Sequence, residues 1–176
     1  MRGKIAIAAV SSVLVFQAQH PPITPVDCAQ VIDSQGRKVG NVVDWDWQRF
    51  TAVVTFQHQN EVFLLHVQKQ RLGGSERLYF TTSDCTGTRF LLVPSLQDER
   101  VRSVAGVDSP SQTLYLGKTD ATPQTITVFS TKDFLSTSCK VSFGFSTSAV
   151  PGIPVVDLAT LFTPPFKVVM CHHGRH

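Results

Sequence analysis

Asp44-Trp45-Asp46-Trp47 alternates carboxylates with indoles. In an extended strand, successive side chains point to opposite faces, so Asp44 and Asp46 share one face and Trp45 and Trp47 the other. Paired carboxylates are the equipment of glycoside hydrolysis, and indole faces stack on sugar rings. The segment is therefore a candidate ligand site. The competing expectation, which the sequence favours, is a structural strand whose tryptophans enter the core and whose carboxylates face water. A small domain rarely spends both indoles on solvent, so at least one is expected inside.

Nucleophilic hydrolysis would need a nucleophile, a base and an orienting group. The chain holds six His and many Ser, but no Ser sits in a Gly-x-Ser-x-Gly elbow. His58 falls in an expected turn and His66 in an expected strand, and neither lies beside a recognisable nucleophile. Both are read as structural, and no catalytic residue is assigned. A concave polar pocket joining either histidine to a carboxylate and a hydroxyl would reverse that reading.

The four cysteines are Cys28, Cys85, Cys139 and Cys171. Asp84 precedes Cys85, and its negative charge disfavours a reactive thiolate, so Cys85 is read as a disulfide cysteine. Cys171-His172-His173-Gly174-Arg175-His176 has metal-like composition, but it lacks a spaced partner motif, and oxidation of Cys171 would remove its thiolate. No metal site is assigned. There is no phosphate-binding glycine loop and no dinucleotide fingerprint, so no cofactor is expected.

The elements that must position these residues begin after a leader. Arg2 and Lys4 precede an apolar run of about 12 residues, Ile5 to Phe16, broken only by Ser11 and Ser12. This is the layout of a secretory signal peptide, and the run is shorter than the roughly 20 residues a membrane-spanning helix needs. Val26-Asp27-Cys28 lacks the small residues of a lipoprotein cleavage site. Two of the three formal net positive charges are Arg2 and Lys4, so the remainder is nearly neutral and no nucleic-acid partner is expected. The densest basic stretch, Lys69 to Arg77, is interrupted by Glu76 and reads as a solvated loop. Export would place the even number of cysteines in an oxidising compartment, where they pair.

Beyond the leader, β-branched and aromatic residues recur in short runs between clusters of Gly, Pro, Asn, Asp and Ser. Asp33-Ser34-Gln35-Gly36 predicts a tight hairpin, because Asp can bond the backbone ahead of it and Gly accepts positive φ. Phe50–Phe56 and Val62–Val67 predict two strands joined by Gln57 to Glu61. Asp157 can cap a single helical turn before Pro164-Pro165. The pattern predicts an all-β, single-domain antiparallel sandwich or barrel of roughly nine to eleven short strands. Phe56, Phe63, Leu65, Tyr79, Leu114, Ile126, Val128, Phe143 and Phe145 are its expected core.

Several phrases resemble those of a group of bacterial exported β-rich proteins without assigned activity. They are Val31 to Gly40 (VIDSQGRKVG), Leu78 to Thr88 (LYFTTSDCTGT), Leu114-Tyr115-Leu116, and Val155 to Phe166 (VVDLATLFTPPF). The resemblance implies export, a bacterial source and a β-rich domain, in some relatives at the end of longer surface or fibre-like chains. It carries no catalytic residue. It also implies a Cys85–Cys139 disulfide, which leaves Cys28 to pair with Cys171.

The expected organisation is a signal peptide over 1–19, an extended lead-in over 20–27, a disulfide-stapled β domain over 28–171 and a flexible tail over 172–176. The expected role is interaction or structural assembly by a secreted, periplasmic or cell-surface domain, with a protein or glycan partner, oligomerisation possible, and no stable membrane insertion once the leader is removed. The alternatives are an extracellular hydrolase with a site assembled from distant residues, or a carbohydrate-binding module built on Trp45 and Trp47.

Overall fold

Short runs rich in β-branched and aromatic residues, some alternating with polar residues and some apolar throughout, form antiparallel strands. The computed structural model describes residues 28–92, 103–118 and 121–170, which hold thirteen strands and one helical turn. The fold is all-β. The leader, the lead-in and the tail lie outside the described residues, as does Cys171.

The largest sheet is six-stranded, in the order β13 (Lys167–Met170), β1 (Ala29–Ile32), β2 (Lys38–Asp46), β3 (Thr51–His58), β4 (Glu61–Gln68), β5 (Arg71–Gly73). The β1–β2 hairpin forms as its turn chemistry requires. Gln35 N–H donates to Asp33 Oδ1 (2.9 Å), and Gly36 adopts φ +81°. The Asp33 carboxylate also accepts from Arg37 N–H (2.8 Å), Arg37 Nε (2.8 Å) and Thr163 N–H (3.0 Å). It therefore ties this turn to the segment that enters β13.

A second sheet runs β12 (Ile153–Asp157), β9 (Thr113–Lys118), β8 (Ser103–Asp108). A third set, β10 (Gln124–Lys132), β11 (Lys140–Pro151), β7 (Phe90–Leu91) and β6 (Leu78–Phe80), closes on itself. The β12–β9–β8 sheet is the middle layer. Ala105, Val107, Leu114 and Leu116 face the six-stranded sheet, in one core with Val54, Phe56, Phe63 and Leu65. On the opposite face Val104 packs with Leu78, Phe80 and Leu91 of the closed set. Gly106 also lies on that face, where an added Cβ would meet the Leu78 and Leu91 side chains. A third cluster, with Tyr79, Phe90, Ile126, Val128 and Ala149, lies within the closed set.

Asp157 caps α1 (Leu158–Leu161) by accepting from Ala159 N–H (2.9 Å), which seats Leu158 and Phe162 in the main core. The Cys85–Cys139 disulfide joins the loop after β6 to the loop before β11, with Cα atoms 5.8 Å apart. Cys28 is also disulfide-bonded. The β1–β13 register pairs Ala29 with Met170, so the chain neighbours of Cys28 and Cys171 are directly opposed.

Three expectations need correction. The Lys69–Arg77 stretch is not a solvated loop: it contains β5, Arg71 Nη1 donates to the Leu135 carbonyl (2.9 Å), and Arg77 Nε meets Asp133 Oδ1 (2.6 Å). Phe143 and Phe145 are not core; Phe143 is fully exposed at 106% and Phe145 at 43%. Val128 pairs with Phe145 but Ser130 pairs with Val141, so β11 carries an extra pair of residues there, with Gly144 at φ +84°. That bulge breaks the period of two and turns Phe143 out. The strand number also exceeds nine to eleven, β5 being among the additions. The other seven expected core residues are buried.

Candidate functional site

β2 ends the large sheet with the residues singled out for chemistry. A register shift between Val42 and Asp44 precedes the pairs Asp44↔Val53, Trp45↔Ala52 and Asp46↔Thr51. Across β3, Ala52 pairs with Val67 and Val53 with His66. Trp45, Ala52 and Val67 therefore share the face that leads into the main core, while Asp44, Val53 and His66 share the other. The expected separation of indole from carboxylate is present within the strand.

The expectation that at least one tryptophan is core is not met. Trp45 is 41% exposed and Trp47 74%. Trp45 stands opposite Ala52, one pair from the end of the β2–β3 ladder, where the core runs out. Trp47 lies past the strand end, in the turn to β3. The two indoles stack on each other, with centroids 6.2 Å apart and planes 27° apart.

Asp46 builds that turn. Its Oδ1 accepts from Gln48 N–H (3.1 Å), its Oδ2 accepts from Arg49 Nη1 (2.9 Å), and its carbonyl accepts from Arg49 N–H (3.2 Å). Re-entry into β3 then requires a left-handed residue. Phe50 fills this place at φ +52°, with its ring 85% exposed. Gly or Asn is the ordinary occupant of such a position.

A groove of about 490 Å3 opens beside this turn. Its floor is the end of the main core: Val31, Ala52, Val67 and Phe166. Trp45 and Phe50 line one side. Phe166 N–H donates to the Lys69 carbonyl (2.8 Å), linking the entry to β13 with the β4–β5 turn, so the large sheet curls round and the groove lies at its mouth. Arg49, Lys69 and Lys167 also line it, and among the described residues no carboxylate does.

The opposite face carries a polar cluster that places a histidine near a carboxylate and a hydroxyl. Thr51 Oγ1 lies 3.2 Å from His66 Nδ1, and Asp46 Oδ2 lies 3.7 Å from the same nitrogen. A hydrolytic relay needs the nucleophile and the orienting carboxylate on different ring nitrogens. Here both oxygens crowd one. Thr51 is buried, and the His66 ring packs on Phe134 with centroids 4.7 Å apart. Burial pushes the His66 pKa down against the opposing charge of Asp46. Burial alone would raise the Asp46 carboxyl, but the hydrogen bonds and charge of Arg49 hold it below the usual carboxylate range. The cluster is a structural lock between β2, β3 and β4. Asp44 accepts from Trp45 N–H (2.7 Å) at an exposed position, and His58, at the end of β3, stacks on Phe56.

Among the described residues no group of three or more His, Cys, Asp or Glu could hold a metal ion, and no helix is long and apolar enough to cross a membrane. The 171–176 segment lies outside them. Sequence reasoning missed Phe50, Lys69 and Lys167. The signal for Phe50 was a bulky aromatic at the residue closing a turn; nothing in the sequence places Lys69 and Lys167 together, because a curled sheet does so. No protein-family model matches the chain, and no curated protein or solved structure gives a significant match.

Proposed function

We propose that the chain is an exported, non-catalytic binding domain that captures a protein or glycan partner through the Trp45–Trp47 end of its large sheet. The observation that carries this reading is the exposed, mutually stacked indole pair. Two aromatic rings held on solvent by a hydrogen-bonded turn offer contact area at low conformational cost, and such residues dominate recognition surfaces. The leader-like Arg2-to-Phe16 segment and the Cys85–Cys139 disulfide support an oxidising, non-cytoplasmic location. The resemblance to bacterial exported β-rich proteins supports the same placement.

The test is the double variant Trp45→Ala/Trp47→Ala, presented to a glycan array and to purified surface proteins beside the unaltered chain. Partner capture is expected to disappear while the far-UV spectrum and Tm stay nearly unchanged. Loss of folding in the double variant would return the tryptophans to a structural role and sink the reading. Turnover of a glycan or peptide that is lost on Asp44→Asn or Asp46→Asn, with folding intact, would replace it with the hydrolase alternative.

A further inference from the structure

We propose that the groove at the mouth of the curled sheet binds an organic anion with an apolar chain, of the kind represented by a medium-chain fatty acid, whose body lies on Ala52, Val67 and Phe166 and whose head group meets Lys69 and Lys167. The site is distinct from partner capture by the indole pair and shares only Trp45 with it.

Size and lining come first. Small-molecule sites are concave, about 300–1,000 Å3, mostly apolar, and carry a few placed polar groups. The groove holds about 490 Å3. Its floor consists of side chains that also belong to the main core, so an occupant extends that core outward and gains free energy with each apolar group it removes from water. A purely polar ligand would leave this floor uncompensated.

Charge decides the other end. Among the described residues three cations line the groove and no carboxylate does. Arg49 is already engaged by Asp46 at 2.9 Å. Lys69 and Lys167 are exposed, and neither has an ion pair among the described residues. The bond from Phe166 N–H to the Lys69 carbonyl brings both lysines to the groove, Lys167 on the edge strand β13 beside Val168, so an anion at this rim lies within reach of two long cationic side chains. The complement is a ligand with one apolar and one anionic end.

Phe50 supplies an independent sign. A bulky residue held at φ +52°, with its ring in solvent beside the groove, spends conformational energy without burying area. A chain lying in the groove would cover that ring.

The chain contains two tryptophans, Trp45 in the groove lining and Trp47 stacked on it, so intrinsic fluorescence reports on this end of the large sheet, and the lysine variant separates the groove from the indole pair. Decanoate, kept below its micelle concentration, is titrated into the folded protein, with decanol as the neutral control and anionic phospholipid vesicles as a third arm. A saturable blue shift with decanoate, and weaker binding of decanol, is expected. Lys69→Glu/Lys167→Glu should weaken decanoate binding by about tenfold or more, leave decanol binding unchanged, and leave Tm and partner capture intact. No saturable response to decanoate overturns the inference, as does an unchanged affinity in the lysine variant. A response to vesicles but not to free decanoate also overturns it, assigning the rim to a lipid surface instead. None of these failures touches the indole-pair reading, which the lysine variant leaves in place.

Discussion

At the scale of single residues, Phe50 separates stability from binding. A left-handed backbone costs a non-glycine residue about 1–2 kcal/mol, while glycine at the same place loses about 0.5–1 kcal/mol through its freer unfolded state. Phe50→Gly should therefore leave the denaturation midpoint unchanged or slightly raised, because the ring is exposed and contributes little to the core. The same variant should weaken binding of an apolar anion in the adjoining groove. A clear fall in stability would mean that the ring packs in solution. The residue scale is also where the sequence was most uneven. Asp33 and Gly36 were legible, since their turn is set by bonds within five residues. Phe143 was not, because its direction depends on a bulge opposite Phe129 that only the β10–β11 register reveals. Trp45 was half legible: its face follows from strand alternation, but its exposure depends on where the core ends.

At the scale of elements, the β1–β2 turn shows how one carboxylate couples segments distant in sequence. Asp33 is buried. That burial would raise its pKa, but hydrogen bonds from Thr163, Arg37 and Gln35 outweigh it and bring the value from 3.8 to about 2. The folded pKa is depressed, so the ionised form stabilises the fold above the unfolded pKa, and that contribution fades as pH falls from about 4 to about 2. Asp33→Asn should thus be less stable than the unaltered chain at neutral pH. The gap, measured by urea denaturation, should stay flat down to roughly pH 5 and narrow below it. A gap independent of pH would show that the carboxylate acts through shape alone. The strands themselves were largely legible, because β3, β4 and β6 are short apolar runs closed by turn formers. β5 was not. It lies in a charged stretch whose Arg71 and Arg77 find partners at Leu135 and Asp133, more than fifty residues away in the chain. Gly73 sits in that strand because a Cβ there would collide with the Phe134 carbonyl.

At the scale of the whole molecule, the middle sheet decides how the layers come apart. β8 and β9 give alternate residues to the main core and to the closed set, so neither core is complete without them. A buried ion network adds to this coupling: Asp108, at the end of β8, takes Arg89 Nη2 and Lys132 Nζ, each at 2.7 Å. Order in this layer could not be read from the sequence, since near-continuous apolar runs such as Val104 to Val107 mark burial on both faces without naming the neighbours. The arrangement predicts a single cooperative transition. Tryptophan fluorescence reports one end of the large sheet, whereas far-UV dichroism reports every layer. The two denaturation curves should coincide. Leu114→Ala, which opens a cavity between the large and middle sheets, should cost about 2–5 kcal/mol and shift both curves together. Curves that separate, with fluorescence moving alone, would show that the six-stranded sheet unfolds independently of the layer behind it and that the middle sheet does not join the two cores.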